Sequence, residues 1–412
     1  MDLQALSPEV QSSLLPLTFN IDTKGTRSAL KVNKPSLPFW SAASKDSANT
    51  TTTTLVKKKQ LHQVPTTLGP LQVAVVGSTD LPALVTYHDA GLTPEQTFGG
   101  FLGAPDVGEL ARFFCWYHVY APGTHHGAMD WKEYERSIPS FFPFPRLSIN
   151  HSDAFLRAYP TMDKLASQLG EVLRYLSLTP AIVWGVGAGG NIALRLASAE
   201  PDIVKGIIVT GATGAAASMY EYSDTIFSKL GSLLWASNDV YHATNRLLAR
   251  FYSKTTCEES RDMVSRTRSF LSQMSGNMLK FAEAYEKRDD ITARCKNIKA
   301  SVLFIMGQDS PHAADQDETY HAIMPPMGAR RPSLSAGTPG KYIVRLTKSS
   351  DLATEENAAM LLQPMALFFI SMQVKGNELS QLPFVRDAYK VSGRKSSLSF
   401  VYNRDDEKVS LD

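Results

Sequence analysis

Cysteine is scarce: three thiols, Cys115, Cys257 and Cys295, lie far apart in 412 residues. An odd, scattered set excludes a disulfide framework and a zinc site built from paired ligands, and it points to a reducing, cytoplasmic setting. No apolar run approaches the roughly 20 residues needed to span a bilayer, and no basic segment followed by an apolar one opens the chain, so neither a transmembrane span nor a leader is expected. An excess of either charge is missing too. Lys and Arg number 42 against 40 Asp and Glu, a net charge of +2, which leaves no concentrated positive face for phosphates and sets nucleic acid aside. His125 and His126 are adjacent, with no carboxylate or thiolate at ligand spacing, so no metal is expected. No internal repeat is present.

What the chain does contain is ordered into blocks. Residues 1–65 are rich in Ser, Thr, Pro and Lys and lack a sustained apolar period, which reads as a disordered N-terminal arm. Its triplet Lys57-Lys58-Lys59 reads as solvated, with contact to acidic lipid at a membrane surface as the alternative. Residues 66–375 read as the folded domain and 376–412 as a polar, flexible tail.

Within the domain, apolar runs at Leu71–Val76, Ala83–Tyr87, Phe113–Val119, Ala181–Val186, Val204–Thr210, Ser301–Met306 and Tyr342–Leu346 alternate with helical patterns. That rhythm predicts an α/β fold, a mainly parallel sheet with helices on both faces. Thr161 is placed to cap a helix that runs to Leu178, with Leu165, Leu169, Val172, Leu173 and Leu176 on one face. Further helices are expected over Gly189–Ser198 and Glu355–Met372. The rhythm breaks at about 213–299, an inserted helical cap, and at two loop-like insertions, about 129–158 and 325–340.

Gly185-Val186-Gly187-Ala188-Gly189 stands at the end of a buried strand and the start of a helix. This is the setting of a nucleophile elbow, where small residues flank a Ser, Cys or Asp on a strained turn. Here the centre is Gly187, which has no side-chain atom with which to attack. The same glycines fit G-x-G-x-x-G, a dinucleotide fingerprint. That alternative lacks the acidic residue expected after the next strand and a place at the start of the domain, so no cofactor is expected.

Three segments resemble the N-myc downstream-regulated (NDRG) family: Thr86-Tyr87-His88-Asp89-Ala90-Gly91-Leu92, Ala121-Pro122-Gly123, and Tyr159-Pro160-Thr161-Met162-Asp163 followed by the glycine-rich turn. The resemblance runs from about Leu68 to Met372 and fades in the arm, the two insertions and the tail. It implies the α/β-hydrolase fold without the hydrolase triad. In Gly307-Gln308-Asp309-Ser310-Pro311 the acid position holds Ser310, with Asp309 one residue early. In Lys348-Ser349-Ser350-Asp351-Leu352 the base position falls at Asp351 and no histidine is present. Without an imidazole there, proton transfer has no obvious carrier.

His88-Asp89-Ala90-Gly91 takes the place of an oxyanion-hole turn, so His88, Asp89 and Gly91 are candidates for a vestigial pocket. Their bland role is to hold the turn by side-chain hydrogen bonds. Arg330-Arg331-Pro332-Ser333 and Arg394-Lys395-Ser396-Ser397 place serines behind basic residues, making Ser333, Ser396 and Ser397 phosphorylation candidates. The expected function is therefore that of a non-enzymatic cytoplasmic adaptor in signalling or trafficking, binding protein partners through its cap and insertions. The alternative is a cryptic hydrolase or small-molecule sensor using the pocket near His88, Asp89 and Asp309.

Overall fold

The computed structural model describes residues 59–104, 106–131, 159–217, 239–324 and 339–386, together with the backbone of 18–21. Its centre is a nine-stranded sheet in the order β1-β9-β8-β7-β6-β4-β5-β3-β2. The strands are β1 Thr18–Ile21, β2 Gln60–Val64, β3 Leu71–Val76, β4 Ala83–Tyr87, β5 Cys115–Val119, β6 Ala181–Val186, β7 Val204–Thr210, β8 Ser301–Gly307 and β9 Lys341–Leu346. Pairing is parallel from β1 through to β5 and antiparallel where β3 meets β5 and β2.

The central strands are mostly apolar because both of their faces are covered, with Lys205 of β7 as an exposed exception. Along β6, Ile182, Trp184 and Val186 join one hydrophobic core while Ala181 and Val183 join the other, the alternation that a period of two imposes. One core packs helices α1 (Pro94–Gly103) and α2 (Val107–Ala111) with the C-terminal helices. The other packs α3 (Met162–Tyr175) and α4 (Ala188–Ala199). Helix α3 starts as its sequence predicts: the Thr161 hydroxyl accepts a hydrogen bond from the Lys164 amide at 3.4 Å, and Leu165, Leu169, Val172 and Leu173 are buried.

The cap lies between β7 and β8. Its described helices are α5 Asp239–Phe251, α6 Lys254–Glu259, α7 Arg261–Leu271, α8 Gly276–Glu286 and α9 Thr292–Cys295. Then come α10 Ala313–Ile323, α11 Ala353–Glu356, α12 Ala358–Ser371 and α13 Gly376–Leu379. No helix among the described residues is long and apolar enough to cross a membrane.

Four expectations need correction. Strands β1 and β2 fall inside the stretch 1–65 assigned to a disordered arm; β2 is an edge strand whose first four residues are exposed, so it carries no apolar period. Lys59 is not solvated like a free lysine: its ammonium stands 2.6 Å from Glu95 and 3.1 Å from the Tyr120 hydroxyl. Burial opposes ionisation of Glu95, yet these partners hold it down at about 2. The single helix expected over 355–372 is two, broken at Asn357. Finally, the fold does not end at 375, because Leu379, Leu382 and Val385 are buried in the first core.

Candidate functional site

The carboxyl ends of the parallel strands lie along one edge of the sheet, where open α/β sheets bind ligands. Strand β4 delivers His88 and Asp89 there, β6 Gly187, β8 Ser310 and β9 Asp351. All of these are buried. The positions read from the sequence as nucleophile, acid and base are thus brought to one edge.

Gly187 has φ +53° and ψ −115° and caps α4, and its amide donates to the Thr210 carbonyl at 2.9 Å. The elbow backbone is therefore retained. A Cβ at this position would collide with the Asp89 carboxyl group. Asp89 stands where a nucleophile's side chain would begin.

The Asp89 carboxylate has a single heavily used oxygen. Its Oδ1 accepts from the Ala188 amide at 2.8 Å, the Ala90 amide at 2.7 Å and Arg250 Nη2 at 2.9 Å. The amide following the nucleophile is one of the donors that bind the oxyanion in this type of site, and these distances fall in the range such a hole requires. The same amide heads α4, where a dinucleotide's pyrophosphate would sit, so the fingerprint reading finds that place taken.

Arg250 comes from the end of α5 in the cap and was not singled out in the sequence. The only signal is a cation beside Leu247, Leu248 and Phe251 on the buried side of an amphipathic helix. Its guanidinium packs over the rings of Phe251 and Tyr285 at 5.0 and 5.2 Å. Burial works against the charge, but Asp89, with Tyr285 and Asp351 behind it, raises the pKa above its ordinary value.

Ser310 and Asp351 do meet. The Ser310 hydroxyl donates to Asp351 Oδ1 at 2.5 Å, and Gln316 from α10, also missed in the sequence, donates to the same oxygen at 2.7 Å. Burial pushes the Asp351 carboxyl up from its usual range, against the pull of His312, Arg250, Ser310 and Gln316. Asp309, by contrast, is exposed and stands outside this group.

His88 is bonded to the next turn. The Ala121 amide donates to Nε2 at 2.8 Å, so Nδ1 carries the proton and donates to the Asp89 carbonyl at 2.9 Å. Thr124 Oγ1 lies 3.2 Å from Nε2, and burial pulls the imidazole down to about 4. Gly91, at φ +78°, lies under Leu247 of the cap. His88 and Gly91 shape the turn, and Asp89 fills the space it was expected to line. Ser333, Ser396, Ser397 and the aromatic stretch Phe141–Phe144 lie outside the described residues.

The Ndr family model matches residues 61–142 and 150–372, most of the chain. The chain belongs to the Ndr family. Among relatives, Protein NDRG3 of Xenopus laevis is 29% identical over 61% of this chain, which spans 63% of that protein's length. Protein NDL3 of Arabidopsis thaliana is 29% identical over 75% of this chain and 80% of its own length. Solved structures place this Ndr protein in the α/β-hydrolase fold. A hydrolase from Pseudomonas aeruginosa PA01 aligns with a TM-score of 0.53 at 16% identity, over 75% of this chain and 98% of that one. A putative non-heme bromoperoxidase, BpoC, from Mycobacterium tuberculosis H37Rv gives 0.52 at 17% identity, over 73% and 96%. At such identities the likeness is one of fold alone.

Proposed function

We propose that this Ndr protein is non-catalytic and acts as a cytoplasmic adaptor, binding other proteins through its cap and insertions. One observation carries the non-catalytic part: the Asp89 carboxylate takes the Ala188 amide and crowds the point where a nucleophile would leave Gly187. A hydrolytic site needs a nucleophile and empty donors facing the developing oxyanion. Here the donors are satisfied and Arg250 holds their occupant in place. Ser310 and Asp351 supply a hydrogen-bonded pair with no imidazole at the base position. What is left is a scaffold that can serve recognition without chemistry. Phosphorylation at Ser333, Ser396 or Ser397 would regulate docking by adding a charge of about −1.5 to −2.

The test is a panel of activated esters offered to the purified chain and to a heat-killed blank. Rates equal to the blank are expected. Turnover well above it would overturn the reading in favour of a cryptic hydrolase. The adaptor part is tested at Tyr241, 61% exposed on α5: Tyr241→Asp should weaken capture of partner proteins without moving the melting temperature. Unchanged capture would remove this face of the cap from the binding surface.

A further inference from the structure

Three buried charged groups meet at the same edge of the sheet, and each leaves one polar atom without a hydrogen bond to any described residue: Asp89 Oδ2, Arg250 Nη1 and Asp351 Oδ2. Asp89 and Asp351 have no exposed surface and Arg250 is 7% exposed. The Arg250 Nη1 and Asp351 Oδ2 atoms are 3.9 Å apart, an ion pair too long to be a hydrogen bond. Buried polar atoms are ordinarily paired; here Arg250 Nη1 and Asp351 Oδ2 face each other only as that ion pair, and Asp89 is bound through Oδ1 alone.

Which ligand the place takes follows from what already sits in it. The Asp89 carboxylate contributes one oxygen with three donors at 2.7 to 2.9 Å and a second that is unpaired. The donors come from three separate elements: the turn after β4, the start of α4 and the end of α5 in the cap. Two backbone amides and a guanidinium recognise a planar monoanion without regard to what it is attached to. Nothing about them requires the carboxylate to be part of the chain.

We propose that the Ala90 and Ala188 amides and the Arg250 guanidinium form a carboxylate-binding site that Asp89 occupies as an internal ligand, and that takes a small free monocarboxylate once that side chain is gone. This rests on the non-catalytic reading of the same site and adds its ligand class. In the natural chain Asp89 is tethered to the site by its own backbone, so a free carboxylate competes with a covalently held one and is kept out. In Asp89→Ala the two amides and the guanidinium lose their partner. Formate or acetate then restores the hydrogen bonds and the charge balance of Arg250.

The experiment uses the full chain, natural and Asp89→Ala, in sodium formate or sodium acetate against sodium chloride at matched ionic strength. Expected is a rise in the variant's melting temperature of several degrees with formate, saturating in the millimolar range. The natural protein should show equal curves in both salts, and Asp89→Ala/Arg250→Met should no longer respond. Equal curves for Asp89→Ala in formate and chloride would overturn the proposal, as would a response that survives loss of Arg250. Should Asp89→Ala fail to fold in chloride, refolding yield in formate becomes the readout. Recovery supports the site, and equal failure in both salts overturns it. Ester turnover is scored separately: turnover would sink the non-catalytic reading while leaving the formate titration to stand, and a flat titration would do the reverse.

Discussion

Arg250 and Asp351 hold each other at both ends: the Asp351 amide donates to the Arg250 carbonyl at 3.2 Å, and the guanidinium Nη1 stands 3.9 Å from Asp351 Oδ2. The Ser350 hydroxyl adds a bond to the same carbonyl at 2.7 Å, and the Leu352 amide donates to the Phe251 carbonyl at 3.2 Å. The end of α5 is thereby stitched to the loop after β9. Cap and sheet share one polar centre beneath their apolar contacts.

Removing Arg250 leaves Asp89 and Asp351 buried without their cation. Breaking a buried pair by deleting one partner costs roughly 3–5 kcal/mol, so Arg250→Ala should lower the chemical denaturation midpoint sharply. Lys287→Ala, whose pair with Glu283 is about half exposed, should cost no more than about 1 kcal/mol. Equal midpoints for the two variants would show that Arg250 is not the anchor.

Gly187→Ser introduces a Cβ into the Asp89 carboxyl group. Overpacking of this kind costs about 1–3 kcal/mol, and Asp89→Gly alone is destabilising because Arg250 loses its partner. Arg250 then keeps only its longer ion pair with Asp351. Combined, the two changes should be less harmful than their sum, since glycine at 89 makes room for the serine. A double-mutant cycle by urea denaturation checks this; strict additivity would mean that the two positions do not compete for space.

Glu355 gives a pH dependence of definite sign. Burial raises its carboxyl from 4.5 to about 7, with Arg266 and Gly100 acting in the opposite direction. An acid whose pKa is raised on folding holds its proton in the native state after the unfolded chain has released it. Stability therefore falls as pH climbs from about 4.5 to about 7, a contribution of roughly 3 kcal/mol by linkage. Glu355→Gln should remove that decline, so its stability advantage over the natural chain grows across this window and is flat above it. Parallel stability curves for the two proteins would refute the assignment.

Arg195 is buried on α4, with Nε donating to Asn191 at 2.8 Å and the two terminal nitrogens to Asp163 at 2.7 Å and to the Asp289 carboxylate and carbonyl at 2.8 Å each. It thus ties α4 to the start of α3 and to the end of the cap. A lysine cannot reproduce this planar fork, so Arg195→Lys should cost roughly 2–4 kcal/mol, read from the thermal midpoint. A change under about 0.5 kcal/mol would mean that the fork is not what holds these elements together.

The parts of the fold legible in the sequence are those where burial shows as pattern. Strands covered on both faces read as continuous apolar runs, and α3 announced itself by its capping threonine and its apolar stripe. Strand β2 did not, because an edge strand with Gln60, Leu61, His62 and Gln63 exposed carries no alternation. Leu379, Leu382 and Val385 were hidden because the apolar stretch from Leu382 to Val385 is short, holds Pro383 and is flanked by polar residues, so it looks like tail. In the site, Gly187 was legible because an elbow has a local signature. Arg250 and Gln316 were not, since each reaches the site through the fold from an element far away in the chain, and no spacing records that. Asp89 was legible both as a pocket candidate and as a side chain that holds its turn, which its bond from the Ala90 amide does; that the same oxygen also accepts from Ala188 and Arg250 follows from the fold, which brings distant elements together.

The glycines of the turn after β6 restrict substitution at this edge. A Cβ at Gly185 would strike the Gly189 backbone and one at Gly189 the Tyr87 carbonyl, so the crossing of strand and helix demands glycine whether or not any reaction occurs there. A serine placed at position 187 would meet Asp89 at once, and a change at Asp89 strips Arg250 of its hydrogen-bonded carboxylate. Either single change is expected to lower stability, so the internal carboxylate couples the two positions and restricts the order in which they can change.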